Sequence, residues 1–274
     1  MHSLETNSFL FLGLNIRYYS LMFFCAILSA FLICVFLIKK CQNEKITLNF
    51  FYDLFPVVVL FGILGARLCY VLSSLSYYSK NPFEIFAIWH GGISIQGGIL
   101  FGVLAGFVFS KIKKVPFLAL ADVLIPALPL AQSIGRWGNY FNQEAFGTPT
   151  NLPWGLFIEP KFRPFEYMNF EYFHPTFLYE SILDFVIFLI LLCLAKEHKT
   201  NGQIFFLYFV LYAIVRFLIE GIRIDSVLNI GTIPIAQVVS VIMFLVGLIG
   251  LVWVKKNDRL WFNFILYSWR KTPV

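Results

Sequence analysis

The feature that most limits the fold of this chain is a series of long apolar segments with little or no charge. Tyr18–Ile38 and Thr232–Val254 contain no charged residue, and each reaches the ~20 residues that a bilayer-spanning helix needs. Five further segments are apolar apart from isolated polar residues: Leu54–Ser73, Ile93–Ser110, Val115–Ile134, Thr176–Ala195 and Gln203–Ile222. The sequence therefore predicts an all-α, polytopic membrane protein with about seven transmembrane helices.

The composition of the 274-residue chain excludes several other classes of protein. It is 59% hydrophobic and only 13% charged, whereas soluble domains are about 25% charged. This balance excludes a disordered chain, a fibrous repeat, a secreted disulfide scaffold and a nucleic-acid binder. Four of the five cysteines lie in apolar runs and Cys41 lies in a short basic loop, so their spacing indicates packing residues. We expect no metal and no cofactor.

The basic residues indicate the orientation in the membrane. Thirteen of the 21 lysines and arginines fall in alternate connections and in the C-terminal tail: Lys39, Lys40, Lys45, Lys111, Lys113, Lys114, Lys196, Lys199, Lys255, Lys256, Arg259, Arg270 and Lys271. The positive-inside rule places these residues in the cytoplasm, with the N-terminus outside and the C-terminus cytoplasmic. Met1–Leu10 has no Lys or Arg, so we expect the first apolar run to be a retained helix.

The longest polar stretch, Gly135–Pro175, lies between the fourth and fifth apolar segments, on the outer face in this orientation. It is rich in Gly, Pro, Asn and aromatic residues, which disfavours a long regular element. Loops of this length in compact proteins usually serve a function. We therefore expect a single integral-membrane catalytic domain over residues 1–274, with an outer-face loop region at about 135–175.

Six ionisable residues lie inside the apolar segments, where each costs ~2.5–3.5 kcal/mol to insert: Arg67, Asp122, Glu180, Asp184, Arg216 and Glu220. A structural ion pair or a side chain that reaches the interface is the alternative to a functional role, above all for Asp122 and Asp184. The sixth segment is more informative, because Tyr212, Arg216, Glu220 and Arg223 share one helical face near the outer leaflet. Ion pairing alone does not explain a second arginine and a tyrosine there, so this face predicts a working site.

Three other segments combine polar residues with glycine or proline. The fifth apolar segment begins just after His174, and Glu180 lies about 1.5 turns further along the helix. Trp89–Gly98 contains four glycines, which permit close helix packing or leave room for a lipid headgroup. Gly135–Gly147 places Arg136, two asparagines and a glutamate among three glycines, a combination that suits an anionic, hydroxylated headgroup.

On these residues the chain resembles the prolipoprotein diacylglyceryl transferases of bacteria. Gly135–Gly147 matches the family signature Gly-Arg-x-Gly-Asn-Phe-x-Asn-x-Glu-x-x-Gly, with Tyr140 where Phe is usual. The resemblance covers nearly the whole chain, because other family features occur in order: Ile16–Tyr19, Gly65–Arg67, the glycine segment, His174–Glu180 and the Tyr212/Arg216/Glu220/Arg223 face.

The resemblance implies a transferase at the outer leaflet of the bacterial cytoplasmic membrane. Such an enzyme moves the diacylglyceryl group of phosphatidylglycerol to the thiol of the lipobox cysteine in a prolipoprotein signal peptide. It forms a thioether and releases glycerol phosphate, which is the first step of lipoprotein maturation. The expected partners are phosphatidylglycerol, prolipoproteins and the lipid bilayer, with no nucleic acid.

The same resemblance, together with the chemistry, assigns roles to residues of this chain. Arg136 and Arg216 are expected to bind the phosphate and to stabilise its departure. Glu180, Tyr212 and water remain the alternatives for the group that takes the thiol proton. The expected catalytic residues are thus Arg136, Arg216, Glu180 and Tyr212. The expected phosphatidylglycerol-binding residues are Arg136, Tyr19, Arg67, Gln96, Asn139, Asn142, Glu144, Gly147, His174, Glu220 and Arg223.

Three departures from the family pattern concern the lipid pocket more than the class of reaction. Gln96 stands where the family often has His, and His90 is not at that position. Phe177 replaces the usual Gln after His-Pro-Ser/Thr, and Ser20 replaces Gly. Two other hypotheses are a lipid or small-molecule transporter and a scaffold. A transporter would be expected to show internal repeats or paired interrupted spans, which the sequence lacks, and a scaffold leaves the buried arginines unexplained.

Overall fold

The computed structural model describes residues 8–11, 14–41, 44–195, 201–224, 229–230 and 233–257. Over these residues the chain is built mainly from helices: α1 (Tyr18–Cys41), α2 (Leu48–Ser73), α3 (Leu75–Tyr78), α4 (Ile95–Ile112), α5 (Phe117–Leu124), α6 (Ala127–Asn142), α7 (Thr176–Ala195), α8 (Gln203–Glu220) and α9 (Ile235–Asn257). Short antiparallel pairs join β1 (Ser8–Phe11) to β2 (Leu14–Arg17), β3 (Leu156–Phe157) to β4 (Tyr172–Phe173), and β5 (Asn229–Ile230) to β6 (Ile233–Pro234).

Six of these helices are long and apolar enough to cross a membrane, namely α1, α2, α4, α7, α8 and α9. The pair α5 and α6 passes the same test when taken together, which raises the number of spans to seven. The prediction of an all-α, polytopic membrane protein is confirmed. The orientation of the termini, with the N-terminus outside and the C-terminus cytoplasmic, stays a prediction. Five of the basic residues on which it depends lie outside the described residues: Lys196, Lys199, Arg259, Arg270 and Lys271.

The fourth span differs from the single helix predicted over Val115–Ile134. It is broken between α5 and α6, which are bent by 44° relative to each other. Pro126 stands at the break and has no N–H to donate to the helix ladder, which explains the interruption. Helix α6 continues to Asn142, so the first eight residues of the predicted outer loop are helical.

The described contacts divide the chain into two compact units, and one of them runs from Val35 to Leu120. In this unit α2 packs against α4. A Cβ atom on Gly65 would collide with the ring of Phe101, and one on Gly97 would collide with the carbonyl oxygen of Gly65. These glycines therefore allow the two helices to approach closely, which is one of the two roles predicted for the glycines of α4.

The other unit combines the chain up to Cys34 with the chain from Ala121 onward. Here α6, α7, α8 and α9 pack in sequence order. The core between α7 and α8 is apolar and is formed by Ile187, Leu191, Ile204, Tyr208, Val215 and Ile219. A smaller core of Phe146, Ile158 and Phe173 lies within the loop that joins α6 to α7.

Asp122, one of the ionisable residues predicted inside a span, has a structural role. Its carboxylate accepts hydrogen bonds from the backbone N–H groups of Gly202 at 2.5 Å and Phe205 at 2.8 Å. These groups belong to the N-terminal turn of α8, where N–H groups lack partners within the helix and the helix dipole favours a negative charge. Asp122 thus fixes the start of the helix that carries Arg216.

Candidate active site

The centre of the site is an ion-pair cluster to which three helices contribute. Arg136 lies near the C-terminal end of α6, Glu180 in the first turns of α7, and Arg216 in the last turns of α8. An Nη2 hydrogen of Arg136 is donated to Oε1 of Glu180. Nη1 of Arg216 lies 3.3 Å from Oε1 and 3.2 Å from Oε2 of the same carboxylate. Glu180 therefore lies between two guanidinium groups.

A second carboxylate completes the charge balance of this cluster. Oε2 of Glu220, one helical turn beyond Arg216, lies 2.6 Å from Nη2 of Arg216. The side chains of Glu180 and Glu220 are 1% and 4% exposed, whereas those of Arg136 and Arg216 are 20% and 18% exposed. The carboxylates are therefore enclosed, while both guanidinium groups keep an accessible side. Since a guanidinium has five N–H donors, each can hold its carboxylates and still bind an incoming anion.

Tyr212 lies one turn before Arg216 on α8 and interacts electrostatically with Arg136. Its ring stacks on that of Tyr208, with centroids 5.5 Å apart and planes inclined by 13°. The hydroxyl of Tyr208 donates a 3.0 Å hydrogen bond to Oε1 of Gln132 on α6. Tyr212 is thus held against the cluster. The structure brings Arg136, Arg216, Glu180 and Tyr212 together, and their catalytic roles stay a prediction.

Two serines, which sequence reasoning missed, fix α6 against α7 beside the cluster. The Ser181 hydroxyl donates a 2.8 Å hydrogen bond to the carbonyl oxygen of Ser133, and the two hydroxyls lie 3.2 Å apart. Both side chains are buried. Because Ser181 follows Glu180 and Ser133 lies one turn before Arg136, these bonds set the register of the ion pair. A serine in an apolar helix gives only a weak sequence signal, since it often bonds within its own helix.

Above the cluster, the end of α6 forms a polar group. The side-chain amides of Asn139 and Asn142 both donate to Oε1 of Glu144, at 2.9 and 3.2 Å. Glu144 is exposed and the asparagines are partly buried. The three residues predicted to contact a headgroup therefore lie together, and in the structure they form hydrogen bonds with one another.

The turn after α6 depends on Gln143, which the prediction overlooked. Its φ of 52° lies in the left-handed region. Its side chain accepts a 2.7 Å hydrogen bond from the backbone N–H of Glu159 and donates a 3.1 Å bond to the Glu159 carboxylate. The hydrogen bond and charge of Lys161, together with Gln143, hold the pKa of Glu159 below its usual value. These two hydrogen bonds attach the loop that joins α6 to α7 to the end of α6.

A second polar group lies at the start of α7, where Tyr179 contacts both His174 and the loop residue Trp154. Nε1 of Trp154 donates a 2.9 Å hydrogen bond to the hydroxyl of Tyr179, and Nδ1 of His174 lies 3.3 Å from the same hydroxyl. His174 is half-buried and Trp154 is exposed. His174 thus belongs to a His–Tyr–Trp chain at the start of α7, and Trp154 and Tyr179 are additions to the predicted set.

Two glycines of the signature make close contacts. A Cβ on Gly147 would lie 2.9 Å from the backbone oxygen of Ile222, and Gly147 also forms a β-bridge with Arg223. A Cβ on Gly138 would lie 2.8 Å from the ring of Tyr19. Gly147 therefore joins the outer loop to the chain after α8, and Gly138 makes room for Tyr19, whose side chain is half-exposed.

Arg67 and Gln96 belong to the unit that runs from Val35 to Leu120. Arg67 is buried, and its guanidinium donates to five backbone carbonyls of the segment after α3: Glu84, Ile85, Ala87, Gly91 and Gly92. Gly91 and Gly92 have φ values of 90° and 77°, which only glycine adopts readily. This geometry favours a role in ordering the loop. Gln96 is exposed in the first turn of α4 and accepts a 2.9 Å hydrogen bond from Ser94. Headgroup binding by either residue stays a prediction.

Within the part of the chain that the structure describes, no group of three His, Cys, Asp or Glu residues could hold a metal ion. The donors around the cluster are instead guanidinium, amide and hydroxyl groups. Such donors recognise phosphate and other anions.

Fold and site together define a polytopic membrane protein whose buried arginine–carboxylate cluster is suited to holding an anionic substrate. A family model described as prolipoprotein diacylglyceryl transferase matches residues 7–253. The chain belongs to this family, and the resemblance seen at Gly135–Gly147 is confirmed.

Curated relatives support the same assignment. The chain is 45% identical over 252 residues to a protein of Nostoc sp., covering 90% of this chain and 88% of the relative. It is 43% identical to a protein of Thermotoga petrophila, covering 90% and 84%, and 39% identical to one of Clostridioides difficile, covering 92% and 96%. All three are named phosphatidylglycerol–prolipoprotein diacylglyceryl transferase. The expectation of an enzyme of this class is confirmed.

Proposed function

We propose that this chain transfers the diacylglyceryl group of phosphatidylglycerol to the lipobox cysteine of a prolipoprotein, at the outer leaflet of the bacterial cytoplasmic membrane. The observation that carries the proposal is the position of Glu180 between Arg136 and Arg216, with both guanidinium groups partly accessible. The names of the relatives supply the two substrates. The distribution of basic residues supports the outer leaflet.

The reaction forms a bond between the cysteine sulfur and a glycerol carbon, and it breaks the bond between that carbon and the phosphate oxygen. The thiol proton must leave as the bond forms, and glycerol phosphate departs with the electron pair of the broken bond. Negative charge therefore increases on the phosphate in the transition state. Arg136 and Arg216 stabilise this charge in a site of low dielectric constant, where such interactions are strongest.

Glu180, Tyr212 and a water molecule remain the alternatives for the group that takes the thiol proton, and the cluster places the two side chains together. The Glu180 carboxylate is a proton acceptor held beside both guanidinium groups, and the Tyr212 hydroxyl interacts electrostatically with Arg136. If Glu180 accepts the thiol proton, Glu180→Gln lowers kcat strongly while Tyr212→Phe has a smaller effect. If Tyr212 accepts it, the order of the two effects is reversed.

Other predicted residues of the same unit lie near the ends of α6 and α8 and at the start of α7. Asn139, Asn142 and Glu144 offer donors and acceptors suited to the glycerol hydroxyls of the headgroup. The half-buried His174 and the half-exposed Tyr19 contribute further polar atoms. Glu220 holds Arg216 in place, and Arg223 supports the outer loop through its bridge to Gly147.

The direct test incubates the purified chain in phosphatidylglycerol-containing vesicles with a lipobox peptide and measures the mass of the peptide. A gain equal to one diacylglyceryl group is expected, and Arg136→Ala and Arg216→Ala should each abolish it. Lys111→Ala, on an exposed side chain near the end of α4, is the matched control that removes one positive charge elsewhere. No gain in mass with the parent chain would overturn the activity. Normal transfer by both arginine variants would overturn the assigned roles.

A further inference from the structure

One buried carboxyl group near the site has no part in the proposed reaction. Asp184 lies one helical turn beyond Glu180 on α7, away from the outer end of the helix. It is 0% exposed. Among the residues that the structure describes, neither of its carboxylate oxygens has a hydrogen-bond partner. Burying an ionised carboxylate without donors costs far more than burying a neutral acid.

The charged groups around Asp184 also disfavour its ionised form. It interacts electrostatically with Glu180 on its own helix, with Arg136 on α6, and with Arg216 on α8. The facing tyrosines of α8, Tyr208 and Tyr212, also interact with it. The two guanidinium groups are already matched by the carboxylates of Glu180 and Glu220. An ionised Asp184 would therefore add an unbalanced negative charge to an enclosed cluster.

We propose that Asp184 is a positioning residue that works as a neutral carboxylic acid, leaving Glu180 as the single anion between Arg136 and Arg216. The effect of Asp184 on substrate binding rests on the proposed function. An ionised Asp184 would attract both guanidinium groups inward and repel the substrate phosphate. The neutral acid leaves the accessible sides of the two arginines available to bind that phosphate.

The state of the acid can be tested without substrate, by infrared difference spectroscopy on the full chain in detergent or vesicles. The parent chain at neutral pH should show the carbonyl absorption of a protonated carboxyl group, and Asp184→Asn should lose it. Asp53→Asn is the matched control, because the Asp53 side chain is 63% exposed and pairs with Lys113, and this substitution should leave the absorption in place. Identical spectra for the parent and Asp184→Asn would overturn the proposal.

The functional consequence is tested by the KM for phosphatidylglycerol as a function of pH. In the parent chain, KM should rise by about tenfold or more at alkaline pH as Asp184 ionises, which is equivalent to ~1.4 kcal/mol of lost binding. In Asp184→Asn this rise should be absent, while a similar alkaline rise in both chains would overturn the role. The infrared result is independent of transfer activity, so a failure of the proposed function and a failure of this inference are distinguishable.

Discussion

Two regions of the molecule hold arginines inside apolar helices, and they hold them in opposite ways. Arg67 on α2 donates to five backbone carbonyls and is 6% exposed. Arg136 and Arg216 pair with side-chain carboxylates and stay about one-fifth exposed. A guanidinium whose five donors are all used by neutral carbonyls has no capacity left for a ligand. One paired with acids keeps donors and an accessible side.

A charged residue in a membrane span therefore indicates function only when its partners leave part of the side chain available to a ligand. Carbonyl partners satisfy the donors of Arg67 and fix a loop, which is a structural task. Carboxylate partners neutralise Arg136 and Arg216 while keeping them in a state that can exchange ligands.

The largest effect is expected from the carboxylate that joins the two arginines. Glu180→Gln removes the charge that holds Arg136 and Arg216 and removes the candidate proton acceptor, so we expect transfer activity to fall by about 100-fold or more. The rate of peptide modification in vesicles measures this fall. Glu166→Gln, on an exposed side chain of the outer loop, is the control that should transfer at the parent rate. A Glu180→Gln enzyme of normal rate would mean that the cluster is only structural.

The next effect concerns stability in the other region. Arg67→Ala removes the guanidinium donor from five backbone carbonyls, and we expect the free energy of unfolding to fall by about 3 kcal/mol or more. Thermal unfolding in detergent measures the loss. Arg163→Ala is the matched control, because Arg163 donates to only two carbonyls, those of Ile158 and Met168, and should cost less. A raised KM for phosphatidylglycerol with unchanged thermal stability would instead establish Arg67 as a headgroup ligand.

How much of this contrast could be predicted follows from where the partners lie in the sequence. Arg216 and Glu220 are four residues apart, so their pairing was predictable from helical periodicity. Arg136 and Glu180 are 44 residues apart, and only a resemblance to a known family linked them before the structure did. The carbonyl partners of Arg67 leave no signal in the sequence, because every residue carries a backbone carbonyl.

The helices and turns also differ in how well the sequence predicts them. The predicted span Thr176–Ala195 coincides with α7, because Pro175 marks its start and the apolar run ends at its C-terminus. The fourth span was predicted as one helix, since apolarity does not distinguish a straight helix from one broken at Pro126. Left-handed turns such as the one at Gln143 also escaped prediction, because that conformation in a non-glycine residue is set by tertiary contacts.

A smaller effect is expected where the outer loop joins the chain after α8. Gly147→Ala would place a methyl group 2.9 Å from the backbone oxygen of Ile222, so we expect it to cost about 1–3 kcal/mol of stability. Gly135→Ala is the matched control, because a Cβ there meets nothing within 4 Å, and a helical position prefers alanine. Thermal unfolding of the two variants should move in opposite directions. Equal shifts would contradict the close contact assigned to Gly147.

The smallest effect is a pH dependence of the outer loop. Because Lys161 and Gln143 lower the pKa of Glu159 in the folded chain, ionised Glu159 contributes stability above its unfolded pKa. That contribution should be lost as the pH falls through the lowered folded pKa. Thermal unfolding across the acid range should therefore show a slightly steeper loss for the parent than for Glu159→Gln. The difference should be small, since exposed ion pairs contribute little. If the unfolding temperatures of the two chains change with pH in the same way, the Glu159 charge contributes nothing to stability. Gln143 would then hold the loop only through the backbone N–H of Glu159.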